Sequence, residues 1–570
     1  MNSSGSFSYF FRKYPFFRGI LIILLIVIIL LTFFFVNKKT KEIPQIFSIV
    51  PPVGSPGDVI SIYGENFGDV RDMNYVEISG SKLTASSYIS WENNLIKIEL
   101  PANVQNGLVY VGVKNLRSNP SLFANEIDIP VPVPQVQQQV TKPVISYLSQ
   151  DKVNIGDVLV ISGNNFGDSK NQSKVYFTVD YNRKINSTEF KNNKLYSENM
   201  FAANEDEFDY LFWSNTEIKV VVPDGACSGI IIIDNGREKS EPKEITVNSD
   251  AGSKSFENKK IYLIEYSADI DDVVTNDVST ITLRCPIPVT MVSQPNVEIT
   301  EGSPQPIIQN YQNNLIHQIS KNRNNTPKNI FTQTFVLPVY EVRTKVNANK
   351  IGNYDNVNKN LLSKALRPDE LVPSDNENII SLCKTIIGKE KNVWNQAKLI
   401  YDYLCDNFEI MPKNTKTEAN PLELIENKKG DAYDFAVIYT ALLRAAGIPS
   451  FTDAGIFVGS DMMTQAHWWC EFYIPKVGWI PVDPALGAGL ELKKWTEDEN
   501  ENYREFYFGN MDSHHITFSR GWSELKPFAA ENKIVQQPRS FALQSIWEEA
   551  SASTAKYSSY WGIPTVKGVY

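Results

Sequence analysis

Cysteine and histidine are scarce in this chain of 570 residues, which carries five of the first and four of the second. Five cysteines (Cys227, Cys285, Cys383, Cys405 and Cys470) are too few for a disulfide-stapled scaffold, and their odd number leaves at least one thiol free. No two of them form a Cys-x-x-Cys pair and no two histidines stand one helical turn apart, so neither a metal nor a cofactor is expected; His514-His515 reads as a surface dipeptide. A surplus of positive charge is missing too. Fifty-five Lys and Arg face 65 Asp and Glu, a net charge of -10, which argues against a nucleic-acid partner because wrapping a polyanion needs clustered cations. What is present is ordinary globular material, 42% hydrophobic and 12% aromatic. At roughly 150 residues per domain, the length predicts about four folded units.

Charge is absent altogether between Arg18 and Lys38. The 18 residues Gly19 to Val36 are apolar on every face and span about 27 Å as a helix, one bilayer crossing. No small-residue cleavage site follows; the run passes straight into Asn37-Lys38-Lys39, which reads as an uncleaved signal anchor. Residues 1–42 are therefore expected as a cytoplasmic tail and transmembrane anchor, with everything after them outside the cytoplasm.

The chain repeats itself. Gly57-Asp58-Val59-Ile60-Ser61-Ile62-Tyr63-Gly64-Glu65-Asn66-Phe67-Gly68-Asp69 recurs 99 residues later, from Gly156 to Asp168. A second match, from Trp91 to Pro101 against Trp213 to Pro223, is offset by 122, so the second copy holds 23 extra residues, assigned to the stretch from about Asn182 to Asp206. Alternating short strands between Gly and Pro turns predict two all-β sandwiches. The motif resembles the IPT/TIG module, an immunoglobulin-like sandwich, over 43–130 and 143–248. Between the copies, 131–142 reads as a Pro/Gln-rich spacer. Strand patterning continues over 259–348 without a catalytic constellation, and after Leu371 the period turns helical, with Val393, Trp394, Ala397, Ile400, Tyr401 and Leu404 on one stripe.

Three segments then stand out: Lys428 to Ala436 opening a helix, Ala466-His467-Trp468-Trp469-Cys470-Glu471-Phe472-Tyr473, and Gly478-Trp479-Ile480-Pro481-Val482-Asp483-Pro484. A hairpin turning at Pro475-Lys476 sets His467 opposite Asp483, so a carboxylate can orient the imidazole. Asp431 is a good N-cap with Asp434 three residues on, which puts Ala432 in the first helical turn, where backbone N–H groups favour an anion. Together with Arg444 to Pro449, Tyr507 to Asn510 and Phe518 to Gly521, these segments resemble the transglutaminase-like, papain-related superfamily over about 370–525. The resemblance implies an α+β domain at 349–530, a β sandwich before it, a tail at 531–570, and a Cys-His-Asp mechanism whose nucleophile falls at 432. Here that residue is alanine, and a methyl group cannot attack an acyl carbon. Cys470, three residues from His467 on an alternating strand, points to the other face, and Cys383 and Cys405 belong to preceding helices. The tryptophans at 468, 469 and 479 read as core and rim packing.

The expectation is a multidomain, membrane-anchored envelope protein: a transmembrane helix, two immunoglobulin-like sandwiches, a further β-rich region and a catalytically inactive transglutaminase-like domain. His467 and Asp483 remain there as a dyad without a nucleophile, and the domain binds a protein or peptide. Two other readings stay open: an active cysteine acyl transferase or peptidase if residue 432 is natively cysteine, and an adhesin or glycan-binding stalk through the repeats.

Overall fold

The computed structural model describes residues 43–102, 104–125, 142–181, 199–275, 279–321, 328–412, 420–492, 502–528 and 530–570, with Phe16 and Val27. Apart from Val27 the apolar run Gly19 to Val36 lies outside these residues, as do the spacer apart from Lys142 and the insertion up to residue 198. Among the described residues no helix is long and apolar enough to cross a membrane. Residues 1–133 with 528–530 make one compact unit, and 134–527 with 531–570 another.

In the first unit, strands Gln45–Val50, Val59–Glu65, Leu95–Glu99 and Tyr88–Trp91 form one sheet against a second that includes Ser121–Asn125, Gly107–Val113 and Tyr75–Ile78. Alternation selects the core: Ile60, Ile62, Ile96 and Ile98 are buried, while Val59, Tyr63 and Lys97 are exposed. The repeated motif has a steric basis. A Cβ on Gly64 would lie 2.0 Å from the Gln45 carbonyl and 2.3 Å from the Phe67 ring. In the second unit, a Cβ on Gly163 would lie 1.9 Å from the Val144 carbonyl and 2.5 Å from Phe166. Trp91 and Trp213 complete the parallel, donating their indole N–H to the carbonyls of Phe67 and Phe166 at 3.0 and 3.2 Å. The second sandwich repeats the strand order of the first, with Val144–Leu148, Val158–Asn164, Glu217–Val221 and Tyr210–Trp213 in one sheet.

The β-rich region is built on two long strands, β1 (Gly252–Thr275) and β4 (Asn329–Val346), paired antiparallel from Gly252↔Val346 to Ile270↔Asn329. Strands β2 (Ser279–Pro286) and β3 (Asn314–Lys321) form the core of the facing sheet. The segment 531–570, expected as a tail, is a correction: it supplies strands to both sheets. β9 (Glu548–Ala550) pairs with β2, and β10 (Thr554–Trp561) and β11 (Thr565–Val569) pair with β1. The physical reason is burial: Phe541 and Trp547 are buried with Tyr262, Ile264, Leu283 and Phe335 in one core.

Between β4 and β9 lies the α/β part. Helix α1 (Glu377–Ile387) starts at Asn376, whose side chain accepts from the Asn378 N–H, and stops at Gly388 with φ of 54°. Helix α2 (Val393–Asn407) is capped by Asn392 and buries Ala397, Ile400, Tyr401 and Leu404 of the predicted stripe, while Val393 and Trp394 are half-buried. Helix α3 (Ala432–Ala445) is buried nearly all round. It packs on an antiparallel sheet of strands β7 (Gly478–Val482), β6 (Thr464–Ile474), β5 (Ser450–Val458) and β8 (His515–Arg520), in that order.

Candidate functional site

Alternation along β6 decides which side chains reach α3. The Cys470 thiol donates to the Ala436 carbonyl of α3 at 3.1 Å, and Thr440 of α3 bonds the Cys470 sulfur at 3.4 Å and the Thr452 hydroxyl at 2.8 Å. His467, an odd number of residues away on a strand whose pairing with β5 is unbroken, lies among Phe457, Trp469 and His515.

The predicted register needs correction. The structure pairs Cys470 with Val482 and Ile474 with Gly478, because Lys476 turns at φ of 69° in a three-residue loop, Pro475 to Val477. Asp483 is therefore past the last strand pair and does not face His467 across the ladder. It reaches the imidazole another way, as the N-cap of the short helix α4 (Pro484–Gly487). Its Oδ1 accepts from the N–H groups of Ala485 and Leu486, both at 2.9 Å, and its Oδ2 lies 2.6 Å from His467 Nε2. His467 Nδ1 has no hydrogen-bond partner among the described residues.

The sequence reading missed the other half of this centre. His515, expected at the surface, is buried, with Nε2 3.2 Å from Asp483 Oδ2 and Nδ1 2.7 Å from Asp512 Oδ1. Asp512 also accepts from the Tyr507 hydroxyl at 2.6 Å and from the His514 N–H at 2.9 Å. Burial alone would lower the pKa of His515, but the Asp512 and Asp483 carboxylates outweigh it and raise it to about 9. The same pairing works in reverse on the acids: burial disfavours their charge, yet His467 and His515 hold Asp483 below the ordinary carboxylate range, and His515 does so for Asp512. His514 is different; burial lowers it to about 4, and its Nδ1 lies 2.8 Å from the Val458 carbonyl. The signal that marks His515 is the Asp-x-x-His spacing from Asp512, which is meaningful only once β8 is known to lie beside β5.

At the other end of the candidate site, the start of α3 carries a complete capping box. Asp431 accepts from the Asp434 N–H at 3.2 Å and Asp434 from the Asp431 N–H at 3.1 Å. Ala432 is the first helical residue, 5% exposed. Into this helix start projects Arg539, from the segment that follows the α/β part. Its guanidinium meets both Asp431 oxygens at 2.9 and 3.0 Å and Asp434 Oδ1 at 2.7 Å, and lies 4.5 Å over the Tyr433 ring. Two hydrogen bonds hold this segment against β8 and the residues just after it: Leu543 N–H to the Ser519 hydroxyl at 2.7 Å, and Ser523 N–H to the Leu543 carbonyl at 3.1 Å. Burial raises the Asp434 carboxyl, reinforced by Asp431 and opposed by Arg539. The guanidinium is thus taken up by the two carboxylates at this helix start, and no thiol stands there.

None of the five thiols takes its place. Burial raises Cys227 and Cys405 to about 12 and Cys383 to about 11, and pushes Cys285 and Cys470 well above the ordinary thiol range. Cys383 donates to the Leu442 carbonyl at 3.4 Å. Trp468, Trp469 and Trp479 are all buried. Trp479 donates to Glu207 at 3.1 Å and lies under Arg520, which itself pairs with Glu207 at 2.6 Å and with Glu471. The second sandwich is thereby bonded to the α/β part within the same compact unit. His467 and Asp483 are brought together; Cys383 and Cys470 bond backbone carbonyls of α3, and Cys405 bonds that of Pro484, next to Asp483, at 3.9 Å.

Residues 380–484 match the transglutaminase-like superfamily and residues 44–124 match the IPT/TIG domain. The chain is similar to an uncharacterised protein of Haemophilus influenzae, 29% identical over 161 residues, which are 24% of this chain and 44% of that one. It is also similar to the uncharacterised protein YebA of Bacillus subtilis, 28% identical over 179 residues, 28% of this chain and 23% of that one. The chain thus spans less than half the length of these relatives. Among solved structures, a candidate cysteine protease from Cytophaga hutchinsonii aligns with 16% identity and a TM-score of 0.33, covering 56% of this chain and 91% of that one. The periplasmic domain of TgpA from Pseudomonas aeruginosa aligns with 12% identity and a TM-score of 0.24, covering 40% and 86%.

Proposed function

We propose that this chain is a membrane-anchored envelope protein whose transglutaminase-like domain binds a protein or peptide without turning it over, displayed on its immunoglobulin-like modules. The observation that carries this reading is the start of α3: the first helical position, where backbone N–H groups favour an anionic nucleophile, is the methyl group of Ala432. A cysteine mechanism needs a thiolate within reach of an imidazole, and burial holds all five thiols of the chain in their protonated form. The anchor rests on the apolar run Gly19 to Val36. The test is a search for turnover. The purified full-length chain in detergent is expected to show no transamidation, amidase or peptidase activity beyond that of its His467→Ala variant; activity lost with His467 would sink the reading.

A further inference from the structure

We propose that His467, Asp483 and His515 form a binding site for one divalent transition-metal ion, best fitted by Zn2+. This inference stands apart from the peptide-binding reading, since it needs neither the presence nor the absence of a nucleophile at 432. One ligand atom from each of the three residues lies within 4.8 Å of the other two. His467 Nε2 and His515 Nε2 both converge on the same oxygen, Asp483 Oδ2, at 2.6 and 3.2 Å.

Zinc bound at about 2.0–2.1 Å to each ligand of a tetrahedron sets ligand-to-ligand spacings of about 3.3 Å. The His515 edge already has that spacing. The His467 edge must open by roughly 0.7 Å, and the two imidazole nitrogens, within 4.8 Å of one another, must take up the same spacing.

Each ligand except His467 is already aimed by a second partner, as metal ligands commonly are. Asp483 Oδ1 is occupied by the Ala485 and Leu486 N–H groups, so that Oδ2 alone faces the imidazoles. His515 is oriented through Nδ1 by Asp512, and Asp512 is held by the Tyr507 hydroxyl. The rings of Phe457, Trp469 and Tyr507 surround the imidazoles, within 6.2 Å of one or both. Two imidazoles and one carboxylate, with no sulfur, are a donor set suited to Zn2+ and to Fe2+ or Mn2+, and unsuited to Cu+.

Charge points the same way. Among the described residues the only side chains that pair with the fully buried Asp483 carboxylate are these two imidazoles. A divalent ion satisfies that carboxylate directly, and as it binds the two Nε2 protons leave to solvent. Three protein ligands leave one position for a water or a donor atom of a bound molecule.

The experiment uses the untagged full-length chain in detergent, stripped with a chelator and dialysed, then titrated with Zn2+ by calorimetry and with Co2+ by visible spectroscopy. The expected result is one Zn2+ per chain with submicromolar affinity, and the intense visible bands of four-coordinate Co2+. His515→Ala and Asp483→Asn are each expected to weaken binding at least 100-fold, and Asp512→Asn by about 10- to 100-fold. His317→Gln, remote from the centre, keeps wild-type affinity. A wild-type chain that retains no Zn2+ and gives no Co2+ bands overturns the proposal, and this arm requires no variant to fold. So does full zinc stoichiometry in the His467→Ala/His515→Ala double variant.

Discussion

The two ends of the candidate site are furnished differently. At the start of α3 two carboxylates, a guanidinium and a methyl group meet, and the carboxylates do what any helix start needs. At the end of β6 two imidazoles share one carboxylate, which is itself a helix cap through its other oxygen. Asp431, Asp434 and Asp483 each have a structural duty whatever the chemistry; residue 432 has none beyond being helical, and it is alanine. A His-Asp pair in this fold is therefore not by itself a sign of catalysis, because the carboxylate is needed to begin α4.

The sharpest way to break this contrast is Asp483→Ala, measured in chelator. It removes a helix cap and strands His515 between one carboxylate and nothing, and is expected to cost about 5 kcal/mol in urea unfolding. A loss under about 1 kcal/mol would show that the cap and the imidazoles are not held by this residue. Next comes Arg539→Ala, which takes from Asp431 and Asp434 the guanidinium that bonds both. An expected loss of about 3 kcal/mol, reduced by half or more in an Asp434→Asn background, would assign the cost to the paired carboxylates; equal losses in both backgrounds would not.

Ala432→Cys probes the helix start chemically. Its thiol is expected to ionise below the ordinary cysteine value and to react with iodoacetamide at pH 7 about 100-fold faster than any native thiol. A new thiol as slow as Cys383 would erase the distinction between the two ends.

The smallest effect lies further along the same sheet, at Asp453, whose Oδ1 has no hydrogen-bond partner. Burial, helped by Glu471 and opposed by Arg520, raises its pKa well above the ordinary carboxylate range. A raised acid favours the fold while protonated and loses that contribution as pH climbs from the ordinary carboxylate range through its folded value, so wild type falls relative to Asp453→Asn as pH rises. The difference in stability is expected to shift on the order of 1 kcal/mol in favour of the amide. A shift toward wild type would contradict the raised pKa.

How far these features could be read from the sequence depends on how local they are. Gly64 and Gly163 announce themselves because the carbonyl each would strike belongs to the neighbouring strand of the same small sandwich. The capping box of α3 is visible in four consecutive residues, Asp431 to Asp434. His467 and Asp483 are 16 residues apart, close enough for a hairpin argument to join them even with the register two residues out. His515 is 32 residues beyond Asp483, and Arg539 is 108 beyond Asp431. No periodicity links such positions; only the finished packing of β8 against β5, and of the Arg539 segment against β8, brings them in.

The return of β9, β10 and β11 to strands laid down 265 to 307 residues earlier has a consequence for the order of assembly. While the ribosome is still adding the α/β part, the Tyr262 to Thr275 stretch of β1 has an open edge, a long unpaired ladder of N–H and C=O groups. The inserted α/β part has its own helices and sheet and can form first, but the surrounding sandwich closes only when Val569 reaches Tyr262. Proteolytic clipping after residue 530 therefore does more than shorten the protein: it removes Arg539 from α3 and reopens a β edge to pairing with other chains.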